Sequence, residues 1–597
     1  MCGFVGWIGR PGACLTEAEK RLALDRLAPR GPDAEGVWEA QGVWFGHRRL
    51  AVVDLDARAN QPMHSPCGRY LLVFNGEIYN FRALRRELDA KYGPIPWRTE
   101  SDTEVVLAGF LREGEGWFSR LRGMFALAIW DRDAQRLTVA RDPLGIKPLY
   151  YAEHPRGIAI ASTVKTLLAL GCDSEPDSRG WACFFLWGAV HDPLTCYRRI
   201  RAVEPGHWGQ WHAGRWRFQP YVERRQPWEV VRDPDDLAEQ VEQAVRDSVT
   251  HHLVADVPIG VLLSGGVDST TVAALSAEAG LHTAGFTVAF PEWLGQPQDE
   301  SPLAVLVANH YGFQSHVAVV SRTDLVQNLD AILDDMDQPS LDGINTWFAT
   351  KAVADHGYKV ALSGLGGDEL FAGYPTFRRV PLFWQAWRVL SGVLGTELAL
   401  KTCRLYGRFR GRVMWRHVDR WFASPQGIFF SEKGYFYPDE MTSLLSQLGL
   451  EPVADEEIEA LVLPDPPPSN SLPQSVGMWE TWRYMVPQLL RDSDWASMAH
   501  GVELRVPLAD WPLIQTLAPL LPHFIDRKGK ALLAQTPKAP LPSAIVDRRK
   551  WGFVIPVLQW LSHVPDWPQS EAIAPVSLER PDRKMALWLA HRWGLGR

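Results

Sequence analysis

Cys2, in Met1-Cys2-Gly3-Phe4-Val5-Gly6, has the residue type and the position to act as a nucleophile without a histidine. Removal of Met1 leaves a thiol and a free α-amine on one residue. An amine with a pKa of about 8 can take the thiol's proton at neutral pH. The same six residues also read as an apolar first strand. Taken alone they leave a nucleophile and a chance start as equal alternatives. Three further clusters supply what an acyl-transfer site on an amino acid would need. Asn75-Gly76-Glu77 offers an amide and a bare backbone N–H for an oxyanion, followed by a carboxylate. His47-Arg48-Arg49-Leu50 offers a guanidinium fork suited to a carboxylate. Ser101-Asp102 offers an acid at a helix start, suited to an ammonium. Each cluster read singly is as easily structural.

A second chemistry stands in the other half. Leu262-Leu263-Ser264-Gly265-Gly266-Val267-Asp268-Ser269 follows a strand pattern and opens a helix pattern. Its glycines admit close backbone approach, its serines donate hydrogen bonds, and a helix start favours an anion. Asp268 could hold Mg²⁺ against that anion. The stretch is not Gly-x-x-x-x-Gly-Lys-Ser/Thr, so the common phosphate-cradling loop is excluded. Ser363-Gly364-Leu365-Gly366-Gly367-Asp368-Glu369 repeats the design after another strand, and Asp368 could share a metal with Asp268. Two charged stretches follow, residues 491–507 and Arg548-Arg549-Lys550-Trp551-Gly552-Phe553. A lysine near phosphate could stabilise a transition state; the plain alternative for each stretch is a solvated surface run.

The elements that must position these residues change in grammar along the chain. Up to about residue 215, short apolar runs bounded by turn residues alternate with a few helical spacings, which predicts an α+β layer fold. From residue 236, strand and helix patterns alternate, which predicts a parallel sheet covered on both faces, with ligands at the carboxyl ends of its strands. From about residue 375 the pattern is mostly helical, with a Pro-rich run at 463–468.

A chain of 597 residues exceeds one core. Its net charge of −8 and lack of a long basic run argue against non-specific nucleic-acid binding. The seven cysteines are scattered, without paired CxxC spacing, which fits a reducing cytoplasm and no structural zinc. The N-terminus does not read as a signal peptide, and the greasiest stretch, residues 380–400, is too short and too charged to span a bilayer. Four of the 27 tryptophans lie at 380–425, three of them beside an arginine. Amphipathic packing is the leading reading there and a membrane-surface contact the alternative.

Taken together, the chain resembles the glutamine-hydrolysing asparagine synthetase family. The first half is similar to a class II glutamine amidotransferase, through the Cys2–Gly6 run, Arg30-Gly31-Pro32-Asp33, Asn75-Gly76-Glu77-Ile78-Tyr79-Asn80, Ser101-Asp102-Thr103-Glu104, Gly123-Met124-Phe125-Ala126 and Arg141-Asp142-Pro143-Leu144-Gly145. The second half is similar to an ATP-pyrophosphatase synthetase, through the two Gly-rich loops and Arg549-Lys550-Trp551-Gly552-Phe553. The resemblance implies an N-terminal-nucleophile α-β-β-α sandwich over 1–215 and an ATP-binding synthetase domain over 236–597 with a helical C-terminal part. It implies that Cys2 attacks glutamine, that Asn75 and Gly76 hold the oxyanion, and that Arg49, Leu50, Ala51, Val52, Val53, Glu77 and Asp102 bind glutamine. Leu263, Ser264, Gly265, Gly266, Asp268, Ser269, Val288, Ser363 and Gly364 would bind ATP. Leu365, Asp368 and Glu369 would line the acyl-adenylate, Asp268 and Asp368 would hold Mg²⁺, and Lys550 would be catalytic.

The implied partners are glutamine, ATP and a carboxylic-acid acceptor, aspartate by default; a homodimer stays open. Three residues depart from the family: Leu365 stands where asparagine synthetases often carry Glu, and Thr163 and Gln338 replace acids seen in relatives. They point to an alternative acceptor, another carboxylate of a biosynthetic cluster. A non-catalytic scaffold or regulator is the reading from another class. The presence of Cys2, both loops and Lys550 speaks against it.

Overall fold

The computed structural model describes residues 2–223, 230–231, 235–281, 284–410, 417–463, 471–525, 528–548, 556–568, 572–573 and 576–596. Lys550, with Arg549 and residues 551–553, lies outside the described residues, as does most of the Pro-rich run at 463–468.

Two antiparallel sheets of six strands form the first half. One is ordered Ile200–Ala202, Tyr150–His154, Gly157–Ala161, Cys2–Gly9, Val43–Arg49, Ala34–Ala40. The other is ordered Arg215–Pro220, His207–His212, Arg136–Arg141, Gly123–Asp131, Tyr70–Ile78, Met63–His64. Side chains of a strand alternate between faces. Phe4 and Ile8 from the first sheet therefore meet Leu71 and Val73 from the second in one apolar layer. The opposite face of the first strand turns Val5 and Trp7 toward helix Glu17–Leu27, where Leu24 and Leu27 cover them. Helices Phe81–Tyr92 and Asp102–Glu113 cover the outer face of the second sheet through Leu84, Leu88, Val105 and Val106. This is the α-β-β-α sandwich expected from the sequence. Its outer strand, Arg215–Pro220, runs past position 215.

The second half carries a five-stranded parallel sheet ordered Gln314–Val319, Ala284–Ala289, Ile259–Leu262, Val360–Leu362, Glu503–Arg505. Helices Val267–Glu278, Ser301–Tyr311 and Ile344–Asp355 connect and cover it, and the chain beyond residue 376 is mostly helical. Four of the five strands follow from the sequence pattern. The fifth does not: Glu503–Arg505 lies in the stretch 491–507, for which a solvated run was the plain alternative. The structure overturns that alternative, because Arg491, Asp492, Asp494, Glu503 and Arg505 are all buried.

Candidate active sites

The period of two that builds the sandwich also builds the first site. Cys2 shares the face of Phe4 and Ile8, and Asn75 and Glu77 share the face of Leu71 and Val73, so these polar residues meet at one end of the apolar layer. The Cys2 backbone N–H donates to Asn75 Oδ1 at 3.0 Å. Asn75 Nδ2 is buried with no hydrogen-bond partner among the described residues. An anchored amide with an unused N–H₂ is the arrangement an oxyanion donor requires. At Gly76 a Cβ would fall 2.2 Å from the Met124 carbonyl oxygen, so the neighbouring strand admits only glycine.

Burial raises the Cys2 thiol pKa. The positive amino terminus, a hydrogen bond from the Leu50 backbone and the Arg49 charge pull the other way. A thiol held protonated needs a local base, which suits the α-amine.

Two carboxylates face the same space. Asp102 opens helix Asp102–Glu113 and accepts from the Ile78 N–H at 2.9 Å. Glu77 keeps one oxygen without a partner. Burial raises both pKa values, and the Asp102 charge raises Glu77 further. An α-ammonium placed between them would relieve that repulsion.

Arg49 is arranged differently from the sequence reading. Its guanidinium donates to the carbonyls of Val53, Asp54 and Asp56 and to Asn60 Oδ1, so in this structure it shapes the loop after its strand. Leu50, Ala51, Val52 and Val53 form the buried start of that loop. Asp256 of the second half holds it, its N–H bonding Val52 O at 2.9 Å and its carboxylate taking the Asp54 N–H at 2.8 Å.

At the second site both Gly-rich loops stand at carboxyl ends of neighbouring parallel strands. In the first loop Ser269 Oγ accepts from Ser264 N–H at 3.2 Å, and Gly265 takes φ +62°, a left-handed conformation suited to glycine. Leu263 and Val288 are buried beside each other's strands. The loops touch: a Cβ on Gly364 would fall 2.6 Å from Ser269 N, and one on Gly367 would fall 2.6 Å from the Asp268 carboxylate. Leu365 is half-buried, its N–H held by Ser363 Oγ at 3.3 Å. Glu369 accepts from the Tyr374 hydroxyl at 2.9 Å. Burial and the adjacent Asp368 raise its pKa to about 7.

One residue absent from the sequence reading stands between the loops. Lys530, on helix Lys528–Ala534, contacts Asp268 and lies 2.9 Å from Asp368. The preceding Gly529 packs so that a Cβ would fall 2.6 Å from the Phe371 carbonyl. That Gly-Lys pair inside a helix pattern was the available signal. Arg548 pairs with Glu300 at 3.2 Å and stands beside Gly265 of the first loop.

No group of three or more His, Cys, Asp or Glu gathers as a metal site among the described residues. Asp268 and Asp368 nevertheless suit Mg²⁺, which takes one or two carboxylates and completes its shell with water and substrate phosphates.

Thr163 and Gln338 do not enter either site. Thr163 caps helix Val164–Ala169, and Gln338 bridges Cys196 N–H at 3.2 Å and the Tyr150 hydroxyl at 3.1 Å. Of the three departures, only Leu365 lies in a Gly-rich loop.

Fold and sites define a two-part amidotransferase. Residues 1–222 match the family model "Glutamine amidotransferase domain", and residues 240–574 match "Asparagine synthase". The asparagine synthetase [glutamine-hydrolyzing] 1 of Bacillus subtilis is 31% identical over 574 residues, covering 94% of this chain and 88% of that protein. Amidase chry2 of Gibberella zeae is 32% identical, covering 63% of this chain and 60% of that protein. The asparagine synthetase B of Escherichia coli is 30% identical, covering 64% and 66%. The chain belongs to the asparagine synthase family, as an amidotransferase of the glutamine-hydrolysing asparagine synthetase type.

Proposed function

We propose that this chain is a glutamine-dependent, ATP-consuming amide synthetase. Cys2 attacks the side-chain amide of glutamine, Asn75 Nδ2 and Gly76 N–H hold the oxyanion, and ammonia leaves as the thioester forms. Water then returns Cys2 and glutamate. Glu77 and Asp102 hold the substrate ammonium, and Arg49 with residues 50–53 frames its carboxylate. At the second site Leu263 and Val288 border the adenine. Residues 264–269 with Ser363 and Gly364 receive the phosphates. The acceptor carboxylate attacks the α-phosphorus, pyrophosphate leaves, and ammonia displaces AMP to give the amide. Asp268 and Asp368 would hold Mg²⁺, which supplies charge neutralisation on the phosphates. Lys530 stands at that place, and Lys550 is assigned the same transition-state role from its motif.

One observation carries this reading: strand Glu503–Arg505 serves both sites. It pairs with the strand that leads into the second loop, its Arg505 carbonyl accepts from Ser363 N–H at 2.8 Å, and its Arg505 side chain reaches Glu77 at 3.6 Å. A single rigid element thereby sets the glutamine pocket against the nucleotide loops.

The acceptor has two readings. Aspartate is the default for the family. A different, larger carboxylic acid is favoured by the apolar Leu365 and by a cavity of about 480 Å³ lined by Trp187, Lys433, Tyr435, Tyr484 and Arg580. Lys433 lies 4.1 Å over the ring of Tyr374, whose hydroxyl bonds Glu369, so the cavity opens one side chain away from the second loop.

The test is pyrophosphate release from ATP, Mg²⁺ and glutamine with a panel of carboxylic acids. Release with aspartate and asparagine formation support the default. Release only with another acid transfers the assignment to that acid. Absence of both release and glutaminase activity would leave the scaffold reading. Cys2→Ala should abolish use of glutamine and spare use of free ammonia.

A further inference from the structure

Helix Thr376–Leu394 is amphipathic in an inverted sense. One side packs into the helical core through Phe377, Val380 and Trp387. The opposite side carries Leu382, Val389 and Val393, which are 61%, 69% and 78% exposed. Their spacings of seven and four residues put them in one stripe along the helix. Helix Thr396–Arg410 packs beside it and exposes Leu398 and Leu405, again seven residues apart, at 52% and 55%. A surface helix ordinarily turns such residues inward. Here five apolar residues in stripes on two adjacent helices face solvent in a folded chain.

The charge of the hairpin is as unusual as its apolar stripe. Residues 376–410 hold seven Arg or Lys and one acid, Glu397, in a chain whose net charge is −8. Arg379 and Arg404 are paired with Glu432 and Asp419 at the base of the hairpin. Arg388 and Lys401 are exposed beside the stripe. Neither helix, nor any other among the described residues, is long and apolar enough to cross a membrane. An apolar stripe flanked by cations on helices that do not span fits a surface with a hydrocarbon interior under an anionic layer.

We propose that this hairpin docks the protein on an anionic membrane surface, with the stripe entering the acyl boundary and Arg388 and Lys401 meeting the headgroups. A second copy of the chain fits less well, because a symmetric contact would set one cationic face against another.

The full-length protein is floated with vesicles of phosphatidylcholine alone and with vesicles containing phosphatidylglycerol. Binding is expected to the anionic vesicles only and to weaken with added salt. Val389→Asp/Val393→Asp and Arg388→Glu/Lys401→Glu should each cut the bound fraction by about ten-fold or more, with glutaminase turnover unchanged as the sign of an intact fold. Failure to bind anionic vesicles at low salt, or undiminished binding by both variants, overturns the proposal. So does a dimer of the wild-type chain in sedimentation that the double-Asp variant dissolves, since the stripe would then cover a second copy.

Discussion

Arg505 Nη2 of the parallel sheet lies 3.6 Å from Glu77 Oε2 of the glutaminase strand, with both side chains fully withdrawn from solvent. Arg505 also takes Glu503 Oε1 at 2.6 Å and donates to the carbonyls of His252 and Val254, each at 2.7 Å. Burial opposes ionisation of Glu503, yet the Arg505 charge holds its carboxyl down at about 2. The guanidinium therefore neutralises one carboxylate on its own strand and steadies another in the neighbouring site.

Replacing Arg505 with Met takes from the buried Glu503 and Glu77 the larger of the positive charges that act on them, leaving the amino terminus. Removal of one member of a buried pair costs roughly 3–5 kcal/mol. Chemical denaturation of Arg505→Met should show a loss of that order. The KM for glutamine should rise as well, because Glu77 loses the charge that opposes the rise of its pKa. A variant with unchanged denaturation midpoint and KM would show that the 3.6 Å approach has no energetic content.

Asn75→Ala removes the unpartnered Nδ2 donor. Loss of one oxyanion donor lowers kcat about 10²- to 10³-fold while ground-state binding changes little. Steady-state glutaminase kinetics check the split. A rise in KM at constant kcat would mean that Asn75 binds substrate and does not act in the transition state.

Much of this was legible in local sequence. Cys2, Asn75–Glu77 and the two Gly-rich loops are contiguous motifs: the first two lie in strands, and a strand leads into each loop. The parallel sheet around Ile259–Leu262 followed from alternating strand and helix patterns. Arg505, Glu503 and Lys530 were hidden for one reason. Their chemistry depends on long-range pairing, and a charge in sequence carries no mark of burial. Strand Glu503–Arg505 is three residues long and finds its partner Val360–Leu362 far back in the chain. Residues 491–507 contain enough charge to pass for a solvated run until that pairing encloses them. Arg49 shows the converse: its motif was visible, and the loop carbonyls that engage it were not.

Asp492 yields a pH prediction. It accepts from Ser340 Oγ at 2.6 Å and from Trp495 Nε1 at 2.8 Å, and burial, with Arg491 opposing, raises its pKa to about 7. The folded protein holds this proton more tightly than the unfolded chain, whose aspartate titrates near 3.8. The contribution to stability therefore falls as pH rises across that window and is level above about 7, a change of about 4 kcal/mol. Asp492→Asn keeps an acceptor for Trp495 and removes the titration. The stability gap between variant and wild type should grow in the variant's favour from pH 4 to pH 7 and then stay constant. A gap independent of pH would mean that Asp492 titrates alike in both states.

Lys530 makes the sharpest separation between the two sites. Its ammonium is a counter-charge that Asp268 and Asp368 share. Burial opposes its charge, but the two carboxylates raise its pKa, so it stays protonated. Lys530→Met should leave glutaminase turnover at its wild-type value, since the Cys2 pocket is built from other strands. Acceptor-dependent pyrophosphate release should fall by about 10²- to 10³-fold with the loss of a cation at the phosphates. The third expectation needs no turnover. With the ammonium gone, Asp268 and Asp368 lose a cation that they share, and a divalent cation offsets their charge with less competition. Added Mg²⁺ without nucleotide should therefore raise the thermal midpoint of Lys530→Met more than that of the wild type. Equal responses would show that the carboxylates do not depend on Lys530, and the pairing seen between the loops would have no bearing on metal binding.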